Sequence, residues 1–239
     1  MTVFDYQLTA PQGPALAALV LQSDERIELD LRRLIPPGVR LFIARVPSAP
    51  DVTPETLRDM ANHIPAAAGR LPANLNYAAL GYGCTSASAA IGVDHVHDLV
   101  RDGAQAQAVT EPLTALIAAC SHLGLTRLAF LSPYSAPVSL RLRDALRAKA
   151  IETPVFGSFE EEREENVVRI SPESIAKAAR ELAAKGGIDG VFLSCTNLDT
   201  LDIIAPLRTE LGLPVLSSNL VLGWHMCHLA GIDCLISLD

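Results

Sequence analysis

The sequence predicts an α/β protein made of two pseudo-symmetric parallel-sheet lobes, with the functional site in the cleft between them. Short apolar runs alternate with helical patterns along the 239 residues, which is typical of βαβ units. Apolar residues make up 49% of the chain, yet no apolar run approaches the roughly 18 residues of a membrane helix. Strands covered by helices on both faces explain this hydrophobicity. In addition, the two halves repeat one order of elements.

The first half contains three predicted strands and two predicted helices. Apolar runs define the strands, and Pro36-Pro37-Gly38 stops the first helix. Thr53-Pro54 is a typical helix start, with Thr as N-cap and Pro at the first helical position. The predicted order is a strand at 15–21, a helix at 26–34, a strand at 39–46, a helix from 53 to about 70, and a strand at 78–82.

The second half follows the same order. Its second helix begins at Ser171-Pro172-Glu173, another N-cap followed by proline. The predicted elements are a strand at 127–131, a helix at 139–150, a strand at 153–156, a helix from 171 to about 185, and a strand at 190–194. In both halves a helix, a fourth strand and a last helix follow.

The last helices, at 114–125 and 221–232, align without a gap, so that Cys120 matches Cys227 and Gly124 matches Gly231. We therefore predict a duplication of one flavodoxin-like lobe. The predicted division assigns residues 1–112 plus 214–239 to the first lobe and 113–213 to the second. An exchange of terminal helices between the lobes remains an alternative.

The composition argues against some classes of binding partner. The net charge is −8, and the chain has no basic stripe of the kind that binds nucleic acid. We expect neither nucleic acid nor a membrane as a partner. Residues 1–13 contain no Lys or Arg, and the apolar stretch that follows is too short for a secretory signal, so we expect a cytoplasmic protein. Five cysteines, an odd number, then favour catalytic or buried thiols over disulfides.

Polar loops follow the predicted strands, and ligands of open parallel sheets bind beyond the carboxyl ends of the strands. Two of these loops have cysteine at equivalent places. The loops are Ser23-Asp24-Glu25, Cys84-Thr85-Ser86, Ser132-Pro133-Tyr134, Cys195-Thr196-Asn197 and Ser217-Ser218-Asn219. If the lobes face each other, these loops line the cleft between them.

A cysteine between a strand and a helix N-terminus is expected to have a lowered pKa, because amides and the helix dipole favour the thiolate. The same amides and nearby hydroxyls can hold a carboxylate. Cys84 and Cys195 could then act on opposite faces of a small acid, one thiolate attacking or deprotonating carbon while the other thiol gives a proton. This chemistry needs no cofactor, and the sequence has neither a P-loop nor a GxGxxG motif after the first strand.

At these residues the chain resembles the aspartate/glutamate racemase superfamily. It is most similar to the branch that contains maleate cis-trans isomerase, arylmalonate decarboxylase and the ectoine-utilisation racemase-like proteins. The resemblance extends from about Ala15 to Ile232. The motifs that carry it are Gly81-Tyr82-Gly83-Cys84-Thr85-Ser86, Ser132-Pro133-Tyr134, Ser194-Cys195-Thr196-Asn197-Leu198 and Leu213-Pro214-Val215-Leu216-Ser217-Ser218-Asn219.

The resemblance implies roles for these residues. Cys84 corresponds to a nucleophile or base on one face of the substrate, and Cys195 to an acid or base on the other. Tyr134, Thr85 and Ser86 correspond to groups that hold a carboxylate. The superfamily likeness also implies a dimer. The full set of predicted substrate-binding residues is Asp24, Thr85, Ser86, Tyr134, Thr196, Asn197, Ser218 and Asn219.

At three positions this chain differs from the superfamily members of known activity. Maleate isomerases have Asn where this chain has Asp24, which would repel a second carboxylate and suit an ammonium. Many racemases have the sequence Cys-Thr-His at the second cysteine, where this chain has Cys195-Thr196-Asn197. Arylmalonate decarboxylase lacks a cysteine at the position of Cys84. The pattern is most similar to the ectoine-utilisation branch.

We therefore predict a cofactor-independent two-cysteine isomerase or racemase of a small, amino-acid-like carboxylic acid. Maleate isomerase proper, an arylmalonate-type decarboxylase and a non-catalytic small-molecule binding module are the alternatives.

Two features stay open. His225, Cys227 and His228 do not share one helix face, which argues against a metal site, although His225 could reach the cleft. The acidic run at 160–165 is interpreted as a solvated helix start, with a flap over the cleft as the alternative.

Overall fold

The computed structural model describes residues 1–10 and 13–239. Two four-stranded parallel sheets form its frame, and the predicted fold class is confirmed. The first sheet has the order β2-β1-β3-β4 and the second the order β6-β5-β7-β8. The strands are β1 (Ala15–Leu21), β2 (Arg40–Val46), β3 (Tyr77–Gly83), β4 (Ala106–Thr110), β5 (Arg127–Ser132), β6 (Glu152–Ser158), β7 (Gly190–Leu193) and β8 (Val215–Ser217).

Helices cover both sheets. Central strands such as β1 and β7 are buried along their whole length, as expected for parallel strands between helical layers. The helices are α1 (Ile27–Leu34), α2 (Pro54–Asp59), α3 (Ile64–Ala68), α4 (Thr85–Ile91), α5 (Val93–Gly103), α6 (Pro112–Leu123), α7 (Ala136–Arg147), α8 (Glu164–Val167), α9 (Pro172–Ala183), α10 (Leu201–Leu211) and α11 (Ser218–Leu229). No helix in the described part of the chain is long and apolar enough to cross a membrane.

The predicted helix from residue 53 to about 70 is divided. Thr53 caps α2 as expected, its hydroxyl accepting from the Thr56 N–H (3.2 Å). A 3₁₀ turn at Met60–Asn62 then separates α2 from α3. Pro65 stands at the start of α3. A proline lacks the N–H and clashes with the carbonyl four residues earlier, which favours a break in the helix here.

The last helix, α11, packs against α1, β3 and α6. It therefore covers the first sheet. The hydrogen bonds, however, place β8 beside β7 in the second sheet. The predicted boundary after residue 213 thus needs to move beyond residue 217, because short apolar strands carry no sequence signal of which sheet they join. The rest of the division stays a prediction.

Gly83, the last residue of β3, brings this strand close to its neighbours. A Cβ atom at this position would lie 2.5 Å from Ile27 Cδ1 and 3.2 Å from the Leu19 carbonyl oxygen. Both distances are shorter than ordinary van der Waals contacts, so a side chain here would require the Ile27 side chain to move and β3 and β1 to shift slightly apart. The glycine thereby sets the position of the next residue, Cys84.

We expect Gly83→Ala to lower the free energy of unfolding by about 1–3 kcal/mol, the usual cost of overpacking a core. Gly38 is exposed, and a Cβ atom there would have no neighbour within 4 Å. Gly38→Ala should therefore stay within about 0.5 kcal/mol of the wild type. Urea unfolding of both variants checks this, and equal stabilities would show that the close approach at Gly83 is unimportant.

Candidate active site

One small cavity lies between the carboxyl ends of the two sheets, and both cysteine loops face it. The centre of a water molecule can move through only about 10 Å³ of it, which is room for about one water. Every polar residue around it is buried, with at most 9% of its surface exposed. The cavity is lined by Leu21, Asp24, Cys84, Thr85, Ser86, Tyr134, Glu164, Cys195 and Thr196.

Cys84 is the N-cap residue of α4, directly after β3. Its Sγ accepts a hydrogen bond from the Ala87 N–H (3.4 Å). Thr85, the next residue, donates its hydroxyl to Ser218 Oγ (2.8 Å). This side chain–side chain bond connects the first cysteine loop to the start of α11.

Cys195 follows β7 in a strained backbone conformation, with φ at +129°. Residues other than glycine rarely adopt this region, and the cost is of order 1–3 kcal/mol. The Cys195 N–H donates to Ser218 Oγ (3.0 Å), and its Sγ accepts from the Asn197 N–H (3.3 Å). Ser218 thus joins both cysteine loops through one hydroxyl.

Burial raises the pKa of both thiols, contrary to the expectation of easily formed thiolates. The pKa of Cys84 rises to about 12, mainly through loss of solvent, and the Ala87 amide offsets only part of this. Loss of solvent also raises the pKa of Cys195. The negative charges of Glu164 and Asp24 raise both pKa values further. The predicted effect of the helix amides is present but smaller than the desolvation.

Glu164 is a site residue that sequence reasoning missed. Its Oε1 accepts from the Tyr134 hydroxyl (2.6 Å) and its Oε2 from the Asn197 side-chain amide (2.9 Å). The Tyr134 oxygen lies 3.0 Å from Cys195 Sγ. Burial raises the pKa of Glu164, although both donors oppose this. In the sequence, Glu164 is one of five glutamates in an acidic run, and no local signal distinguishes it.

The segment that contains Glu164 closes the cavity, which agrees with the flap alternative. Backbone hydrogen bonds hold it to both lobes, to residues 50–52 on one side and 132–133 on the other. Glu162 O accepts from the Val52 N–H (2.9 Å), and the Phe159 N–H donates to Ser132 O (3.1 Å). Its neighbours in the run, Glu160 and Glu165, are exposed as a solvated helix start predicts.

Asp24 presents a free oxygen to the cavity. Its Oδ1 accepts from the N–H groups of Arg26 and Ile27, both at 2.7 Å, whereas its buried Oδ2 makes no hydrogen bond. The Thr196 hydroxyl is close enough to influence the pKa of Asp24 but donates to Gly83 O (3.4 Å). Burial raises the pKa of Asp24, opposed chiefly by the two backbone N–H groups.

Three predicted substrate-binding residues stand behind the cavity wall instead. Asn197 donates to Glu164, and Ser218 supports both cysteine loops. Asn219 donates to Asp30 Oδ2 and to Thr196 O, both at 2.8 Å. Strand-end position predicts nearness to the site, but side-chain direction separates lining residues from supporting ones.

His225 does not line the cavity. Its Nδ1 lies 2.8 Å from Thr110 Oγ1, and burial, with His228 and His97 nearby, lowers its pKa to about 4. Among the described residues, no group of three or more His, Cys, Asp or Glu side chains is arranged to hold a metal ion.

The fold and the site together define a class, namely two-lobed α/β proteins with a cysteine from each lobe at one cavity. The family model described as "Amdase: Arylmalonate decarboxylase" matches residues 34–237. The chain therefore belongs to the arylmalonate decarboxylase family, and the expected superfamily branch is confirmed.

Two curated relatives match about half of the chain. The maleate isomerase of Alcaligenes faecalis is 27% identical over 120 residues, which are 50% of this chain and 47% of that protein. The arylmalonate decarboxylase of Bordetella bronchiseptica is 30% identical over 119 residues, 49% of this chain and 50% of that protein. The matches thus span only about half the length of each relative.

Solved structures match nearly the whole fold. A double mutant of arylmalonate decarboxylase in a liganded form has a TM-score of 0.84 at 23% identity, covering 94% of this chain and 97% of that one. A Nocardia farcinica maleate cis-trans isomerase mutant with a covalently bound succinylcysteine intermediate has a TM-score of 0.80 at 21% identity, covering 92% and 93%. At these identities the likeness shows the fold.

The strain at Cys195 predicts an unusual order of variant stabilities. Cys195→Gly should be more stable than Cys195→Ala by about 1 kcal/mol, because glycine relieves the positive φ. At Cys84, where φ is −147°, the alanine variant should be the more stable of the two. Urea unfolding of all four variants tests this, and a Cys195→Ala variant at least as stable as Cys195→Gly would contradict strain at Cys195.

Proposed function

We propose that the chain is a cofactor-independent isomerase or racemase of a small carboxylic acid, with Cys84 and Cys195 as its catalytic residues. One observation carries this proposal: a thiol from each of the two sheets lines one small cavity whose polar residues are all buried. Two thiols at one cavity allow one to attack or deprotonate carbon while the other delivers a proton.

Two chemical routes fit this pair. In addition–elimination, one sulfur adds to a double bond, the bond rotates and the sulfur leaves. The succinylcysteine intermediate of the Nocardia farcinica isomerase supports this route by analogy. In racemisation, one thiolate removes an α-proton and the other thiol replaces it on the opposite face. The family likeness also suggests decarboxylation, but a second cysteine favours isomerase or racemase chemistry.

The cavity electrostatics favour a substrate with a cationic nitrogen. Asp24 and Glu164 both line the cavity, and its lining, all of it within the described residues, contains no Lys or Arg. The unpaired Asp24 Oδ2 is a ready acceptor for an ammonium or amidinium group. A dicarboxylate such as maleate would instead bring negative charge to two buried acids. An amino-acid-like acid therefore fits this proposal better than maleate.

The assignment to ectoine utilisation, the dimer and the cytoplasmic location stay predictions.

Cysteine variants test the chemistry. Replacing Cys84 or Cys195 by Ala should lower the rate on the true substrate at least about 100-fold, the lower range for loss of acid–base catalysis. Cys120→Ala is the control, because Cys120 lies on α6, outside the cavity lining. A carbon adduct on Cys84 in the mass spectrum indicates addition–elimination, whereas α-proton exchange with deuterated water indicates racemisation.

Wild-type turnover by Cys84→Ala would remove the two-cysteine mechanism. Tight ligand binding without turnover of any ligand would instead favour the binding module.

A panel of small acids tests the substrate class, each present with and without an ammonium or amidinium nitrogen, alongside maleate. We expect the nitrogen-bearing member of each pair to bind about tenfold or more tightly, the usual gain of a charged hydrogen bond. Asp24→Asn should reduce this preference and improve maleate binding, while Glu25→Gln, at an exposed neighbour, should not. Thermal-shift titrations report both, and a wild-type preference for maleate would refute the cationic substrate.

A further inference from the structure

We propose that Glu164 is the positioning residue that takes the proton of Cys195 through the Tyr134 hydroxyl. The inference rests on the proposed function only in treating Cys195 as a reacting thiol. Its basis is a continuous chain of hydrogen bonds between three buried side chains, Cys195, Tyr134 and Glu164.

The distances show which group donates in each of these hydrogen bonds. The Tyr134 oxygen is 2.6 Å from Glu164 Oε1 and 3.0 Å from Cys195 Sγ. A phenol has one O–H, and the shorter contact to the carboxylate is where it donates. The remaining contact is then donated by the Cys195 S–H to the Tyr134 oxygen. The thiol proton thus already points along the path to Glu164.

Each proton that moves in this transfer is released by one of the three side chains and bound by the next. The Cys195 S–H bond breaks as its proton binds the Tyr134 oxygen, and the Tyr134 O–H bond breaks as that proton binds Glu164 Oε1. The products are a Cys195 thiolate, an intact Tyr134 phenol that now donates to Sγ, and a protonated Glu164. The reverse shift restores the thiol after reaction.

Burial makes this route cheaper than loss of the proton to solvent. Removing a proton from the cavity would leave a second negative charge beside Glu164 in a space without bulk water, which is costly. Internal transfer keeps the combined charge of Cys195, Tyr134 and Glu164 at −1. The Asn197 amide, 2.9 Å from Glu164 Oε2, holds the carboxyl group in place in both states.

Cys84 has no comparable path. Its Sγ accepts from the Ala87 N–H, and the structure records no hydrogen bond from it to a carboxyl or hydroxyl group among the described residues. The two cysteines therefore occupy equivalent positions in the fold, but only Cys195 is hydrogen-bonded along a path to a carboxyl group. The relay belongs to the second cysteine alone.

The test is the pH dependence of Cys195 reactivity, measured without any substrate. Protein is exposed to hydrogen peroxide, a reagent scarcely larger than water, and the remaining Cys195 thiol is quantified by mass spectrometry after quenching and unfolding. When Glu164 takes the proton, the thiolate fraction does not depend on pH above the pKa of Glu164. The wild-type rate should thus reach a plateau once Glu164 is ionised, changing less than about threefold over the next pH unit.

Glu164→Gln should replace this plateau by a rate that rises about tenfold per pH unit, since the proton must then leave to solvent. Tyr134→Phe should lower the plateau about tenfold or more by removing the donor to the thiolate. Glu165→Gln, at an exposed neighbour in the same run, should retain the wild-type plateau. If Glu164→Gln does not fold, the reaction rate of Tyr134→Phe tests the relay instead.

Equal pH slopes in the wild type and Glu164→Gln would overturn the relay, as would a Tyr134→Phe variant with the wild-type plateau. This outcome is separate from the failure of the proposed function. A plateau in a protein whose cysteine variants keep full turnover would support the relay and refute the catalytic pair.

Discussion

The site depends on the burial of two thiols and two carboxyl groups around a space for about one water. Desolvation is the first cause of the raised pKa at each of Cys84, Cys195, Asp24 and Glu164. Each negative charge in this set makes the next one harder to form. The burial of these four groups therefore favours their neutral forms.

Hydrogen bonds behind the cavity maintain this arrangement. Ser218 connects both cysteine loops, Asn219 connects Asp30 to the second loop, and Asn197 fixes Glu164. All three lie near strand ends, and none of them lines the cavity itself. They hold Cys195 in its positive-φ conformation, which an isolated loop would leave.

The two lobes share a topology but differ at their cysteines. Cys84 caps a helix in relaxed extended geometry, whereas Cys195 is strained and joined to Tyr134 and Glu164. The closing segment supplies Glu164 from the second lobe and bonds to the first through residues 50–52. Closure and the acidic partner thus come from one piece of chain, which links access to the site with its electrostatics.

The sequence by itself determined the parallel α/β class, the order of strands and helices along each half and the two cysteine loops, because apolar periodicity and strand-end position are local properties. It also singled out Asp24, Thr85, Ser86, Tyr134 and Thr196, all of which line the cavity. Only the tertiary structure decided the direction of the thiol pKa shifts and the position of Glu164 at the cavity. It also decided that Asn197, Ser218 and Asn219 support the wall. These depend on burial and on contacts between distant segments, such as Glu164 with Tyr134, which no local pattern encodes.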